Sequence, residues 1–262
     1  MTQRRDIEAR LELYDDLSGI LGAMRSFALA ELHKVLRREE AEHQVMNTLS
    51  GVMADVSSVL PPPAKQSTDV WLLFGSVRGF CGSFNEDVVR AWQENGADQL
   101  PTVVVGERLT TLISENISIT PVSGAVGALD APAVINRILA ALNEVRSRVG
   151  LDTGLMACLR DEEGIHIQRL LPYPVTASGK NLFPLTNEAP LEVATKVADH
   201  YLFHSLLGLL LRSIRVENRM RLLQMENALQ HLDKGSEGLK RQRNRLRQEE
   251  IVEEIELMAR ER

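Results

Sequence analysis

Residues 75–85 read GSVRGFCGSFN and follow the apolar run VWLLF. Glycines, an arginine and a cysteine placed after a buried strand are the materials of a phosphate cradle or a nucleophile turn. Neither pattern is complete. A Walker loop needs G-x-x-x-x-G-K-[ST], whose lysine reaches the phosphates; here Gly75 and Gly79 stand four apart with no lysine behind them. The dinucleotide fingerprint G-x-G-x-x-G fails at Val77, the G-x-S-x-G elbow is not matched, and Cys81 has no evident histidine partner. What is left is a tight turn from strand to helix, with glycines supplying backbone angles that other residues avoid.

His200 and His204 carry the spacing that puts two metal ligands on one helix face. The zincin pattern requires glutamate directly after the first histidine, where this chain has Tyr201, and no third ligand is evident. Both are read as structural helix histidines. Cys81 and Cys158 give neither a disulfide framework nor metal-type spacing. No catalytic residue, cofactor or metal is expected.

The net charge of −6 argues against a general nucleic-acid binder. The one basic block, KRQRNRLR (240–247), is followed at once by the acidic QEEIVEEIE (248–256). Those acids would repel phosphate, and the pattern is better suited to lying against a protein of alternating charge. The most apolar stretch, YLFHSLLGLLL (201–211), is too short to span a bilayer, and MTQRRDIEAR is not followed by the apolar segment of a signal peptide. A soluble, cytosolic chain is expected, touching membranes only through partners.

Three regions must position these residues. Residues 1–60 contain no proline, and Ile7, Tyr14, Leu21, Ala28 and Val35 recur every seven residues, flanked by Leu13, Ile20, Phe27, Leu17 and Met24. This is an amphipathic helix with a broad apolar face and coiled-coil spacing. PPPAKQST (61–68) breaks it and acts as a stiff linker.

Residues 69–189 alternate short β-favouring runs (DVWLLF, PTVVVG, ISITPV, GLMACLR, IHIQRLL) with helical segments (FNEDVVRAWQEN, ERLTTLISEN, APAVINRILAALNEVRSRV). That alternation predicts a small Rossmann-like α/β domain with a mostly parallel sheet. Residues 190–262 have no proline after Pro190, and Met225, Leu232, Leu239 and Leu246 fall seven apart, with Ile251, Ile255 and Met258 continuing the seam. KGSEG (234–238) is the weak point of that helix. Glu217 and Arg221 make an i, i+4 surface pair at the least. The two terminal helices are expected to zip into an antiparallel coiled coil with the α/β domain inserted between them, because neither seam is satisfied alone.

Three stretches carry a family resemblance. DIEARLELYDDLSGILGAMRSFALAELHK (6–34) places Ile7, Leu11, Ile20, Ala23, Met24 and Ala28 in register with the first helix of the gamma subunit of F-type rotary ATP synthases. RGFCGSFN (78–85) resembles that family's R-G-L-C-G-x-x-N, through Arg78, Gly79, Cys81, Gly82 and Asn85. RVENRMRLLQM and NRLRQEEIVEEIE match its closing helix at Glu217, Arg221, Met225, Asn244, Arg247, Gln248, Ile251 and Glu254. The motifs occur in the right order across almost the whole chain. Departures at Leu21, Gly22, Val77 and Val252, and the charged ending ARER, fit a divergent bacterial member such as the variant N-type enzyme.

The resemblance implies a non-catalytic central shaft. Its partners would be the alpha and beta subunits of a hexameric head, the epsilon subunit and the ring of c subunits. It would work peripherally at the cytoplasmic side of the bacterial inner membrane. Head contacts are implied for Met24, Glu217, Arg221, Arg247, Gln248 and Ile251, and the glycine cluster becomes a family-specific turn. A coiled-coil adaptor and a small α/β enzyme with helical arms are the alternative classes.

Overall fold

The computed structural model describes residues 2–61, 68–114, 117–150, 153–173 and 185–260. Most of the expected linker, residues 62–67, lies outside them. Two long helices, α1 (Thr2–Val56) and α5 (Pro190–Arg260), bracket an α/β region. Pro190 opens α5 at its first turn, where a missing N–H leaves no bond unmade. Contacts divide the chain into two units, Met1–Leu29 with Arg221–Arg262, and Ala30–Met220.

In the first unit the helices run antiparallel: Arg4 Nη1 lies 2.8 Å from Glu250 Oε2, and Tyr14 packs onto Gly235. Ile7, Leu11, Ala28 and Met225 are buried, while Tyr14, Leu21, Leu232, Leu239 and Leu246 are half-buried. This is the heptad seam. The flanking Leu13, Leu17, Ile20 and Phe27 are exposed instead of joining it. A two-helix seam covers a narrow stripe, so a broader apolar face is left uncovered at its margins. Ile251, Ile255 and Met258 are exposed as well, which corrects the expected continuation of the seam. Arg4 stands opposite Glu250, so the described α1 pairs with α5 before these residues are reached. KGSEG does not break α5, which is helical throughout.

The second unit is built on a five-stranded sheet of β1 (Asp69–Phe74), β2 (Thr102–Val105), β3 (Ile119–Val122), β4 (Gly154–Arg160) and β5 (Ile165–Leu171), in the order β3-β2-β1-β4-β5. β1 to β4 are mutually parallel, and β5 pairs antiparallel with β4. The connection Asp161–Gly164 explains the reversal: it is a tight turn with Gly164 at φ 140°, whereas a parallel return needs a crossover of roughly a dozen residues or more. Pro121 is tolerated in β3 because that strand lies on an edge.

Both faces of the sheet are covered, as parallel sheets require. Val70, Leu72 and Phe74 of β1 face a core shared with α4 (Ala131–Val149), Val35 of α1, and Leu206, Leu207 and Leu210 of α5. Trp71 and Leu73 face α2 (Phe84–Glu94) through Val88 and Trp92, and Leu109 of the short α3 (Glu107–Thr110). α3 stops well before the expected end of its helical segment. The hydroxyls of Thr110 and Thr111 donate back to the carbonyls of Gly106 and Arg108, at 3.0 and 2.9 Å, which competes with helix continuation.

Candidate functional site

The glycine cluster is a closed joint. β1 ends at Phe74, and the Gly75 N–H donates to Val105 O at 2.8 Å. A β-carbon on Gly75 would stand 2.1 Å from Leu109 Cβ, so only glycine lets α3 approach β1 here. Ser76 is fully buried, and its N–H donates to Asn85 Oδ1 at 2.9 Å while Asn85 Nδ2 donates to Ser76 Oγ at 2.8 Å. Cys81 Sγ lies 3.5 Å from the same hydroxyl. The amide that a phosphate would need at the head of this loop is therefore held by Asn85.

Between these anchors Phe80 and Gly82 both adopt φ 62°, and Phe80 is 65% exposed. Arg78 and Gly79 are half-buried. Cys81 and Phe84 pack against Val216 of α5, with Met220 alongside. The turn thus fixes the first strand and helix of the sheet to the stretch of α5 around Val216. Asn85, at the family-signature position, is the side chain that closes it; Ser76, its partner, was not singled out in the sequence because nothing in residue type marks a buried serine.

His204 Nδ1 sits 2.6 Å from Glu42 Oε1 of α1, joining the two helices, while His200 is exposed. Among the described residues no cluster of His, Cys, Asp and Glu could hold a metal ion, and no helix is long and apolar enough to cross a membrane. A cleft of about 450 Å³ opens at the far end of β2 from the turn, lined in part by Leu100, Thr102, Thr120, Val145 and Arg148. Two of its polar groups are engaged within the chain: the Thr102 hydroxyl donates to Leu100 O, and Arg148 pairs with Glu144.

The contact positions separate by exposure. Arg247, Gln248 and Ile251 are exposed and Met24 is half-buried. Glu217 and Arg221 are each 5% exposed, so they lie inside the chain and not on its surface as expected. Glu217 directly follows Val216, which is itself packed under the turn.

An exposed apolar surface lies in the first unit. Leu13, Leu17 and Ile20 are exposed at i, i+4 and i+7 on α1, and Ile251, Ile255 and Met258 repeat that spacing on α5. Uncovered apolar stripes of this kind mark protein contact surfaces. A closed joint and two open stripes define a coil-based protein that acts by touching partners.

Comparison with known proteins gives the class its identity. The profile of the family described as ATP synthase matches residues 3–257, and the chain belongs to that family. The ATP synthase gamma chain of Ruminococcus albus is 22% identical over 281 residues, covering 97% of this chain and 96% of its own. That of Clostridium botulinum is 21% identical over 265 residues, covering 95% and 93%. A chain in the rotor of the Euglena gracilis mitochondrial ATP synthase superposes with a TM-score of 0.65 at 16% identity, over 95% of this chain and 99% of that one. A chain from the central stalk and c-ring of the Tetrahymena thermophila enzyme superposes with 0.54 at 17% identity, over 80% and 99%.

Proposed function

We propose that this chain is the rotary central-stalk subunit of an F-type ATP synthase, itself making and breaking no bonds. Ion flow turns a ring of c subunits, the chain turns with it, and its asymmetric surface drives three catalytic beta subunits through different affinities in sequence. A rotating body that touches each bistable neighbour differently biases each in turn. The paired helices of the first unit form the shaft, and the α/β region forms the body that rests on the ring beside epsilon. The protein works peripherally at the cytoplasmic face of a bacterial inner membrane.

The observation that carries this reading is the pair of exposed apolar stripes, Leu13/Leu17/Ile20 and Ile251/Ile255/Met258, in a chain of this family. Met24, Arg247, Gln248 and Ile251 are the contacts with the alpha and beta head. Glu217 and Arg221 offer little surface and serve those contacts from within the chain. The test is co-purification from membranes. Wild-type chain should bring down alpha, beta, epsilon and c subunits, and Ile251→Asp with Ile255→Asp should lower recovery of alpha and beta while the chain stays folded. Equal recovery with the double variant, or a chain that purifies alone, contradicts the proposal.

A further inference from the structure

Within the second unit, the apolar core between the sheet and the α1 and α5 segments packed on it does not fix their relative direction, because hydrophobic contact is non-directional. A set of charged contacts sits at the β4–β5 turn. Arg215 of α5 reaches three carboxylates on two other elements: Nε lies 3.1 Å from Glu39 Oε2 of α1, Nη1 3.0 Å from Glu162 Oε1, and Nη2 3.8 Å from Asp161 Oδ1 of the turn. Its neighbours one turn before and after reinforce it, with Arg212 Nη1 3.3 Å from Asp161 Oδ2 and Arg219 Nη1 2.8 Å from Glu162 Oε1. Three arginines thus face three carboxylates drawn from α1 and from the hairpin at the far edge of the sheet.

We propose that Arg215 is a positioning residue for torque: it clasps the β4–β5 hairpin to the α1 and α5 segments packed on the sheet, so that the sheet and those helix segments turn as one. This rests on the rotary reading above. A planar guanidinium is suited to it, since one rigid group hydrogen-bonds Glu162 and at the same time holds its charge against Glu39 and Asp161, which a lysine ammonium at one point does not. Fold stability does not explain the cluster. Its members are partly exposed, and pairs of that kind contribute little each. Burial also pushes the Glu39 carboxyl above its ordinary range despite Arg215 and Arg212 beside it. An arrangement that costs desolvation is retained for geometry.

The experiment uses the whole complex in membrane vesicles and reads the ratio of ATP-driven ion pumping to ATP hydrolysis. Arg215→Gln, and separately Glu162→Gln, should leave subunit composition and hydrolysis nearly unchanged while the ratio falls about two- to tenfold. Asp161→Cys with Arg212→Cys, added to Arg215→Gln and bridged by a short bismaleimide, should restore the ratio. A ratio unaltered in both glutamine variants, or a loss that the covalent bridge fails to restore, overturns the clasp. Failure of the rotary reading looks different: a complex lacking the chain altogether would still couple hydrolysis to pumping.

Discussion

The ring of Tyr14 occupies the space that a side chain on Gly235 would need: a β-carbon built there would stand 2.6 Å from Tyr14 Cε2. Gly238, one turn further along the same helix, has nothing within 4 Å of its corresponding position. Two glycines of one short segment therefore have opposite meanings. Gly238→Ala should stabilise the chain by about 0.5–1 kcal/mol, the usual effect of removing a glycine from a helix interior. Gly235→Ala should forfeit that gain and fall about 1–2 kcal/mol below it, because the added methyl displaces the ring. Tyr14→Ala combined with Gly235→Ala should unfold at higher denaturant than Tyr14→Ala alone. Denaturant unfolding of these variants checks the ordering.

Asn85 makes its test at the glycine turn. Asn85→Ala strands the buried Ser76 N–H and leaves its hydroxyl only the Cys81 thiol, an expected loss of about 1–3 kcal/mol in urea unfolding. Ser83→Ala, two residues before Asn85, which removes an exposed hydroxyl donating to Asp87, should change stability by less than about 0.5 kcal/mol. Equal effects would mean that the joint is not what holds β1 to α2.

These two cases mark how far the sequence could be read. The heptad Ile7, Tyr14, Leu21, Ala28 identified the seam because burial on one helix repeats with the turn. It did not separate Leu13, Leu17 and Ile20, kept exposed, from the residues the coil itself buries, since periodicity reports apolarity and not who covers it. The strands are legible, but the antiparallel direction of β5 follows from the brevity of a four-residue turn and not from strand periodicity. Arg78 to Asn85 were recognisable as a motif, yet the Arg215 clasp was missed. Its available signals were the arginines at 212, 215 and 219 on one helix face and the acidic run Asp161, Glu162, Glu163 in a hairpin.

Cys158 should behave as an inert core residue. Burial pushes its thiol up to about 12, so it stays protonated through the physiological range. Because the thiolate is the reactive form, iodoacetamide at pH 8 should modify Cys158 only when the chain unfolds. Mass spectrometry across a urea series should show modification rising with the unfolding transition. Rapid labelling of the native chain would contradict the packing of β4.

Glu39 predicts a pH dependence with a definite sign. Its folded carboxyl titrates above the ordinary 4.5, chiefly through desolvation, with Arg215 and Arg212 opposing. A raised native value means that the stability it contributes is complete below the ordinary carboxylate range and is lost as pH rises through the raised value. Glu39→Gln removes this dependence. Relative to wild type, the variant should therefore gain stability between pH 4 and neutrality, measured by denaturant unfolding at a series of pH values. A relative loss over that interval would show that pairing with Arg215 outweighs desolvation.

The central claim is that this chain turns inside a complex that does its chemistry elsewhere. The most direct measurement fixes the purified complex to a surface through its beta subunits and attaches a bead to a single exposed cysteine introduced at Glu163 on the hairpin. On addition of ATP, the account predicts continuous rotation of the bead in one direction. A complex that hydrolyses ATP while the bead on this chain stays still would contradict it.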